Sequence, residues 1–252
     1  METLVSSIDV FSLQQLIIVG LVFVWSGFVR TGLGFGGAGL ALPFLLLVKG
    51  DPVFWLPVFG FHLLFFSSIT VVTRLSNVNW SQINQSIWIL LIPKIAGVLG
   101  LLTLPPAIMV VTVYGITLFY AFTYILNWQL NSQSIWRDRL FLIFGGYMSG
   151  TTLMGAALIA PVISNRVSRH QYRDTLFVLW IILVLIKMSA FVIFDVPLNW
   201  QFAIAVAPCV AVGHYLGLKA HDALISGDEI TFKRALGVGL AVVSFVGLFN
   251  AL

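Results

Sequence analysis

Long apolar runs separated by short polar breaks organise the whole chain. Ten runs can be drawn, at about 12–29, 36–48, 53–73, 84–102, 107–127, 139–149, 153–164, 175–195, 202–219 and 235–251. Runs of roughly 18 or more apolar residues suit helices that cross a hydrocarbon core about 30 Å thick. The runs at 36–48, 139–149 and 153–164 are too short for that, and each adjoins a glycine cluster. The pattern predicts an all-α, polytopic integral membrane protein. It has about eight to ten membrane segments, depending on whether the glycine-flanked pairs are re-entrant hairpins or full spans.

Composition agrees. Of 252 residues, 60% are hydrophobic and 9% charged, whereas a soluble domain carries about 25% charged residues. So little polar surface cannot clothe a globule in water. The segment METLVSSIDVFS carries Glu2 and Asp9 and no cationic stretch, so the first run is expected to remain as a helix rather than serve as a cleaved signal. The single cysteine, Cys209, leaves no internal disulfide framework and no CxxC metal site. No metal and no cofactor are expected. A net charge of +4 could suit nucleic acid in a soluble protein. In a bilayer it is explained by orientation, and no nucleic-acid partner is expected.

With the N-terminus outside, the inner loops carry Arg74, Arg137, Arg139, Arg166, Arg169, Arg173, Lys219, Lys233 and Arg234. The outer segments carry Glu2, Asp9, Lys49, Asp51 and Asp195. Lys and Arg retained on the inner side set the orientation, so both termini are expected outside. His170, His214 and His221 lie near the inner face or a helix end, with no ligand pairing evident. Trp80, Trp128, Trp136 and Trp200 suit the interfacial aromatic belt.

The two halves, 1–128 and 129–252, repeat. Gly32-x4-Gly37-Ala38-x-Leu40-x2-Pro43 recurs as Gly150-x4-Gly155-Ala156-x-Leu158-x2-Pro161. Asn79-Trp80 opens one helix and Asn199-Trp200 its counterpart; those helices end in Gly97-x2-Gly100 and Gly213-x3-Gly217. An odd number of elements per half turns the second copy upside down. Inverted repeats with interrupted helices near mid-membrane are a transporter signature. The stretch Gly32-Leu33-Gly34-Phe35-Gly36-Gly37 also fits the dinucleotide pattern G-x-G-x-x-G, but that needs a strand–turn–helix unit in water. Between two membrane segments, the glycines either let helices approach closely or free the backbone to break. A broken helix exposes N–H groups and a positive dipole end to an anion, and Pro43 and Pro161 favour the break.

The motif GLGFGGAGLALP, its copy GTTLMGAALIAP and the glycine-rich helix ends resemble the TauE/SafE sulfite exporter family over nearly the whole chain. The second copy departs from the family's glycine-rich form at Met154, Ala156 and Ala157. The resemblance implies a multi-pass transporter of a bacterial or archaeal inner membrane, handling small sulfur-containing anions or organosulfonates. Partners are then a small anionic substrate and the lipid bilayer, with a homodimer one assembly open to such a chain.

Ionisable residues inside spans are functional candidates. Lys94 follows Pro93 at mid-segment, Lys187 and His62 lie within apolar runs, and Arg30 ends the first helix beside the glycines. No Asp or Glu lies in the middle of a span, so a bound anion is the expected counter-charge. Thr31, Ser149, Thr151 and Thr152 could donate to oxyanion oxygens, and Gly34, Gly36 and Gly37 could expose backbone N–H groups. The plainer readings are that Arg30 and Lys187 snorkel, that a neutral His62 bonds a neighbour, and that the hydroxyls satisfy backbone. An intramembrane enzyme is the rival class. Met148-Ser149-Gly150 has no paired base, and HExxH and paired intramembrane aspartates are absent, so no catalytic residue is assigned. An anion channel or a membrane subunit of a larger complex is the other alternative.

The charge pattern generates a direct test. In a Cys209→Ser background, a cysteine at position 168 is expected to resist a membrane-impermeant thiol reagent in intact cells. Labelling there would reverse the orientation.

Overall fold

The computed structural model describes residues 11–33, 36–128, 134–226 and 229–251. Among them are ten α-helices and no strand. In the first half lie α1 (Leu13–Leu33), α2 (Gly37–Val48), α3 (Pro52–Val71), α4 (Trp80–Thr103) and α5 (Pro106–Ile125), with a 3₁₀ turn over Val72–Asn77. In the second half lie α6 (Ile135–Thr152), α7 (Ala156–Ser164), α8 (Arg169–Ile193), α9 (Trp200–Ser226) and α10 (Glu229–Ala251). Seven helices are long and apolar enough to span a membrane: α1, α3, α4, α5, α8, α9 and α10. The eight to ten segments expected from sequence include the others. α2 has 12 residues and α7 has 9. α6 has 18 but opens with Arg137, Asp138 and Arg139.

Local chemistry sets the helix starts. Asp51 accepts from the Val53 and Phe54 N–H groups ahead of Pro52, Asn79 accepts from Gln82, and Ser134 accepts from Arg137. Each side chain satisfies N–H groups that the first turn leaves open. Because Ser134 caps α6, that helix begins before the run at 139–149. α1 likewise continues past residue 29 and carries Arg30 and Thr31 in its last turn.

The breaks fall at the glycine clusters and not at the prolines. Pro43 and Pro161 lie inside α2 and α7. The first break ends at Gly36, φ 82°, and the second begins at Leu153, φ 61°. Left-handed backbone is free to glycine but costs leucine about 1–2 kcal/mol.

Both interrupted pairs fold back as hairpins. At the open end of α1–α2, Phe11 packs on Phe54, Trp55 and Phe202, with centroids 5.6–6.0 Å apart, and the Trp55 indole donates to Lys49 O at 2.9 Å. At the open end of α6–α7, Asp138 pairs with Arg166. Next to it, Asn77 donates to Asp174 at 3.2 Å and the Asn79 N–H to Thr175 at 3.0 Å. The first hairpin therefore opens beside the start of α3, and the second beside its end. The main pairings are α1 on α9, α4 on α6, α5 on α10 and α3 on α8. This set is unchanged when each helix is exchanged for its counterpart in the other half.

Close packing explains the glycines. α4 crosses α6 at Gly97 and Gly150, where a Cβ on Gly150 would lie 2.9 Å from Gly97 Cα and closer still to Lys94 O. Gly213 and Gly217 let α9 onto α1 in the same way. Outward faces carry exposed Ile17, Leu21, Trp88, Ile92, Phe245 and Phe249, as lipid contact requires. Trp80, Trp128, Trp136 and Trp200 are exposed near helix ends, where a belt would place them.

Gly150→Ala is expected to lower stability in detergent by about 1–3 kcal/mol through overpacking. Gly115→Ala, with nothing within 4 Å of the new Cβ, is expected to be neutral or stabilising by up to about 1 kcal/mol. Thermal denaturation of both variants checks this; equal melting temperatures would contradict the crossing.

Candidate functional site

An α-helix ends with carbonyls that have no intrahelical partner and with a partial negative charge. In a membrane interior, no water can answer them. Here basic side chains do. The Lys94 Nζ donates to Ser149 O at 2.8 Å and to Ser149 Oγ at 2.9 Å; the Lys187 Nζ donates to Gly150 O at 2.7 Å and Thr151 O at 3.0 Å. Both lysines are fully buried. At the end of α1, the Arg173 guanidinium donates to Thr31 O at 3.2 Å, and Thr31 Oγ1 and His214 Nδ1 share a hydrogen bond of 2.7 Å.

These contacts occupy equivalent places in the halves. Lys94 follows Trp80, and His214 follows Trp200, by the same fourteen residues. Ser149 precedes Gly150 as Thr31 precedes Gly32. The Lys94–Ser149 and His214–Thr31 bonds are therefore counterparts. Aligning the two helix starts in the sequence would have singled out His214.

The other ends of the breaks, where α2 and α7 begin, open onto a cavity of about 40 Å³. One buried water needs roughly 10–15 Å³ by the same kind of measure, so the space suits an anion of a few heavy atoms. Gly36, Gly37, Ala38 and Ala156 contribute to its lining. Gly36 and Gly155 provide no side-chain cap for the helices they precede, which leaves first-turn N–H groups without an intrahelical acceptor.

Four polar side chains in the lining each have a buried atom without a partner. Arg30 donates from Nη1 to His62 O at 2.9 Å and lies 4.8 Å over the Phe66 ring, while its Nη2 is unpartnered. His62 Nε2 bonds Ala203 O at 2.7 Å, and its Nδ1 is unpartnered. The Ser67 Oγ and Trp180 Nε1 are likewise unpartnered. Arg30 is 7% exposed, His62 6%, Ser67 1% and Trp180 8%. Buried polar groups are seldom left unpaired, so four around one space mark it as a candidate binding site. Among the described residues, no Asp or Glu lines the cavity. Two larger clefts, of about 620 and 410 Å³, are walled almost entirely by apolar side chains such as Ile95, Leu185 and Ile193 and offer an anion nothing.

The structure thus gathers Arg30, Gly36, Gly37, His62 and Ser149 of the sequence candidates around one cavity. Arg30 and Lys187 are too buried to snorkel. Lys94 donates to the carbonyl and hydroxyl of Ser149 and Lys187 to two α6 carbonyls, Thr31 is joined to His214, and Thr151 and Thr152 donate to carbonyls of α6 itself. Lys94 thus has partners within the protein at the end of α6. Gly34 lies outside the described residues. Ser67 and Trp180 were not singled out by sequence reasoning, because nothing in an apolar run marks which hydroxyl or indole faces a cavity. Among the described residues, no group of three His, Cys, Asp or Glu could hold a metal ion.

The family model described as Sulfite exporter TauE/SafE matches residues 18–246 of the chain. Searches of curated proteins and of solved structures returned no match.

Lys94→Met leaves the Ser149 carbonyl and hydroxyl without this donor in the interior. It is expected to lower thermal stability in detergent by about 1–3 kcal/mol. A variant that melts with the wild type would show that these bonds contribute nothing.

Proposed function

The chain belongs to the TauE/SafE sulfite exporter family, and from that premise we propose that it carries a small sulfur-containing oxyanion outward by alternating access, bound in the cavity between the helix breaks. The family is one of membrane transporters, which places no catalytic demand on the site. The observation that carries the reading is the buried Arg30 guanidinium beside three other unpartnered polar groups.

Arg30 supplies full positive charge, and its free Nη2 can point a charge-assisted bond at an anion oxygen. Trp180 donates from a fixed indole N–H, and Ser67 from a hydroxyl that rotates to suit. The starts of α2 and α7 add partial positive charge. Such preorganised donors replace the water shell that the anion sheds on entry. Export from a negative-inside cell is downhill by about 2.3 kcal/mol per charge per 100 mV, so no other energy source is required.

Halves 1–128 and 129–252 act as inverted repeats in this reading. Support comes from hairpins that open at opposite ends of α3 and from pairings preserved on exchanging the halves. Rocking one repeat against the other would open the cavity to each side in turn. The setting is the inner membrane of a bacterium, in keeping with the family resemblance.

The test is flux into liposomes holding the purified chain, screened with sulfite, sulfate, thiosulfate, sulfonates and small carboxylates. Saturable flux of at least one sulfur oxyanion is expected. Arg30→Met is expected to lower it by about tenfold or more, the worth of one lost charge-assisted hydrogen bond. Flux from Arg30→Met equal to wild type at matched protein content would remove the cavity from the mechanism.

A further inference from the structure

The groups facing the cavity differ in what they can do with a proton. Trp180 Nε1 and Arg30 Nη2 only donate, and the Ser67 hydroxyl can donate. His62 is constrained from its other side. Its Nε2 lies 2.7 Å from Ala203 O, and a carbonyl oxygen can only accept, so Nε2 carries the hydrogen. In the neutral ring, the unpartnered Nδ1 is then a lone-pair acceptor. A fully deprotonated oxyanion would bring a second acceptor against it and would be repelled.

Protonating the ring instead would place a second cation beside Arg30, whose guanidinium already bonds the His62 carbonyl. Among the described residues that line the cavity, none is a carboxylate that would offset that charge. On α1 the charged group is Arg30. Lys94 on α4 and Lys187 on α8 are turned to the α6 carbonyls, and His214 on α9 bonds Thr31. α6 contributes Ser149, and among the described residues no carboxylate lines the cavity. The donor–acceptor count therefore fits an anion with several bare oxygens and one hydroxyl.

Resting on the anion site proposed above, we propose that His62 Nδ1 accepts a hydrogen bond from the hydroxyl of a monoprotonated oxyanion. The species carried is the singly charged acid anion, of which hydrogensulfite is the probe, and one proton crosses with each anion. Arg30, Trp180 and Ser67 hold the bare oxygens, while His62 reads the protonated one. No covalent bond changes; the proton enters and leaves with the anion.

The experiment measures the reversal potential of sulfite flux in proteoliposomes of the full chain. The pH is equal on both sides, voltage is imposed by a potassium gradient with valinomycin, and the flux of protein-free liposomes is subtracted. One negative charge per sulfur is expected, together with acidification of the vesicle interior in proportion to flux. Two negative charges per sulfur, without acidification, would overturn the inference while leaving anion transport intact. Absence of any wild-type flux would overturn the transport reading and this inference with it. His62→Gln supplies a second arm, because its amide N–H can still donate to Ala203 O while its amide oxygen does not stand where the ring Nδ1 did. Its flux is expected to fall about tenfold or more, with the melting temperature kept. Wild-type flux from His62→Gln would overturn the assignment of His62.

Discussion

A helix that stops inside a membrane leaves backbone groups where no water can reach them, and this chain has two such stops. Every carbonyl and N–H there must find a partner in the protein or in a ligand. The need divides by polarity. At the C-terminal ends of α1 and α6 the exposed groups accept, and basic side chains answer them. At the starts of α2 and α7 the exposed groups donate, no side chain caps them, and the space beyond is the cavity. An anion is the ligand that such ends favour.

That division gives the buried cations two different tasks. Lys94 and Lys187 donate to carbonyls at the negative end of α6, so they hold the broken helix within the fold. Arg30 keeps one nitrogen without a partner and lies on the cavity wall. A lysine ammonium suits the first task as a compact point charge with three donors. A guanidinium suits the second, because it can bond His62 O with one nitrogen and still present another. Lys94 and His214 occupy counterpart positions in sequence, yet one offers an amine on a long flexible stem and the other a planar imidazole. The two breaks are unlike in chemistry.

The glycines belong to the same economy of space. Gly97 with Gly150, and Gly213 with Gly217 against α1, bring helix backbones close enough for the capping side chains to reach the broken ends. Without a hydrophobic drive between helices in lipid, close backbone approach is itself the source of attraction. The helix pairs that hold the fold together are therefore also those that hold the two breaks in place.

Periodicity and composition by themselves determined the all-helical membrane class and the short helices at the glycine clusters. These follow from bilayer thickness and from residue types that either tolerate or resist a break, and both are local. The sequence also marked Arg30, His62, Lys94 and Lys187 as out of place in apolar runs. It could not tell which of them face a ligand, because that depends on where neighbouring helices put their backbone carbonyls. Only the tertiary structure turned Lys94 and Lys187 onto α6, joined Thr31 to His214, and set Ser67 and Trp180 beside Arg30. A buried polar atom becomes a binding group only when packing denies it every other partner. Packing of that kind is decided between segments far apart in the chain.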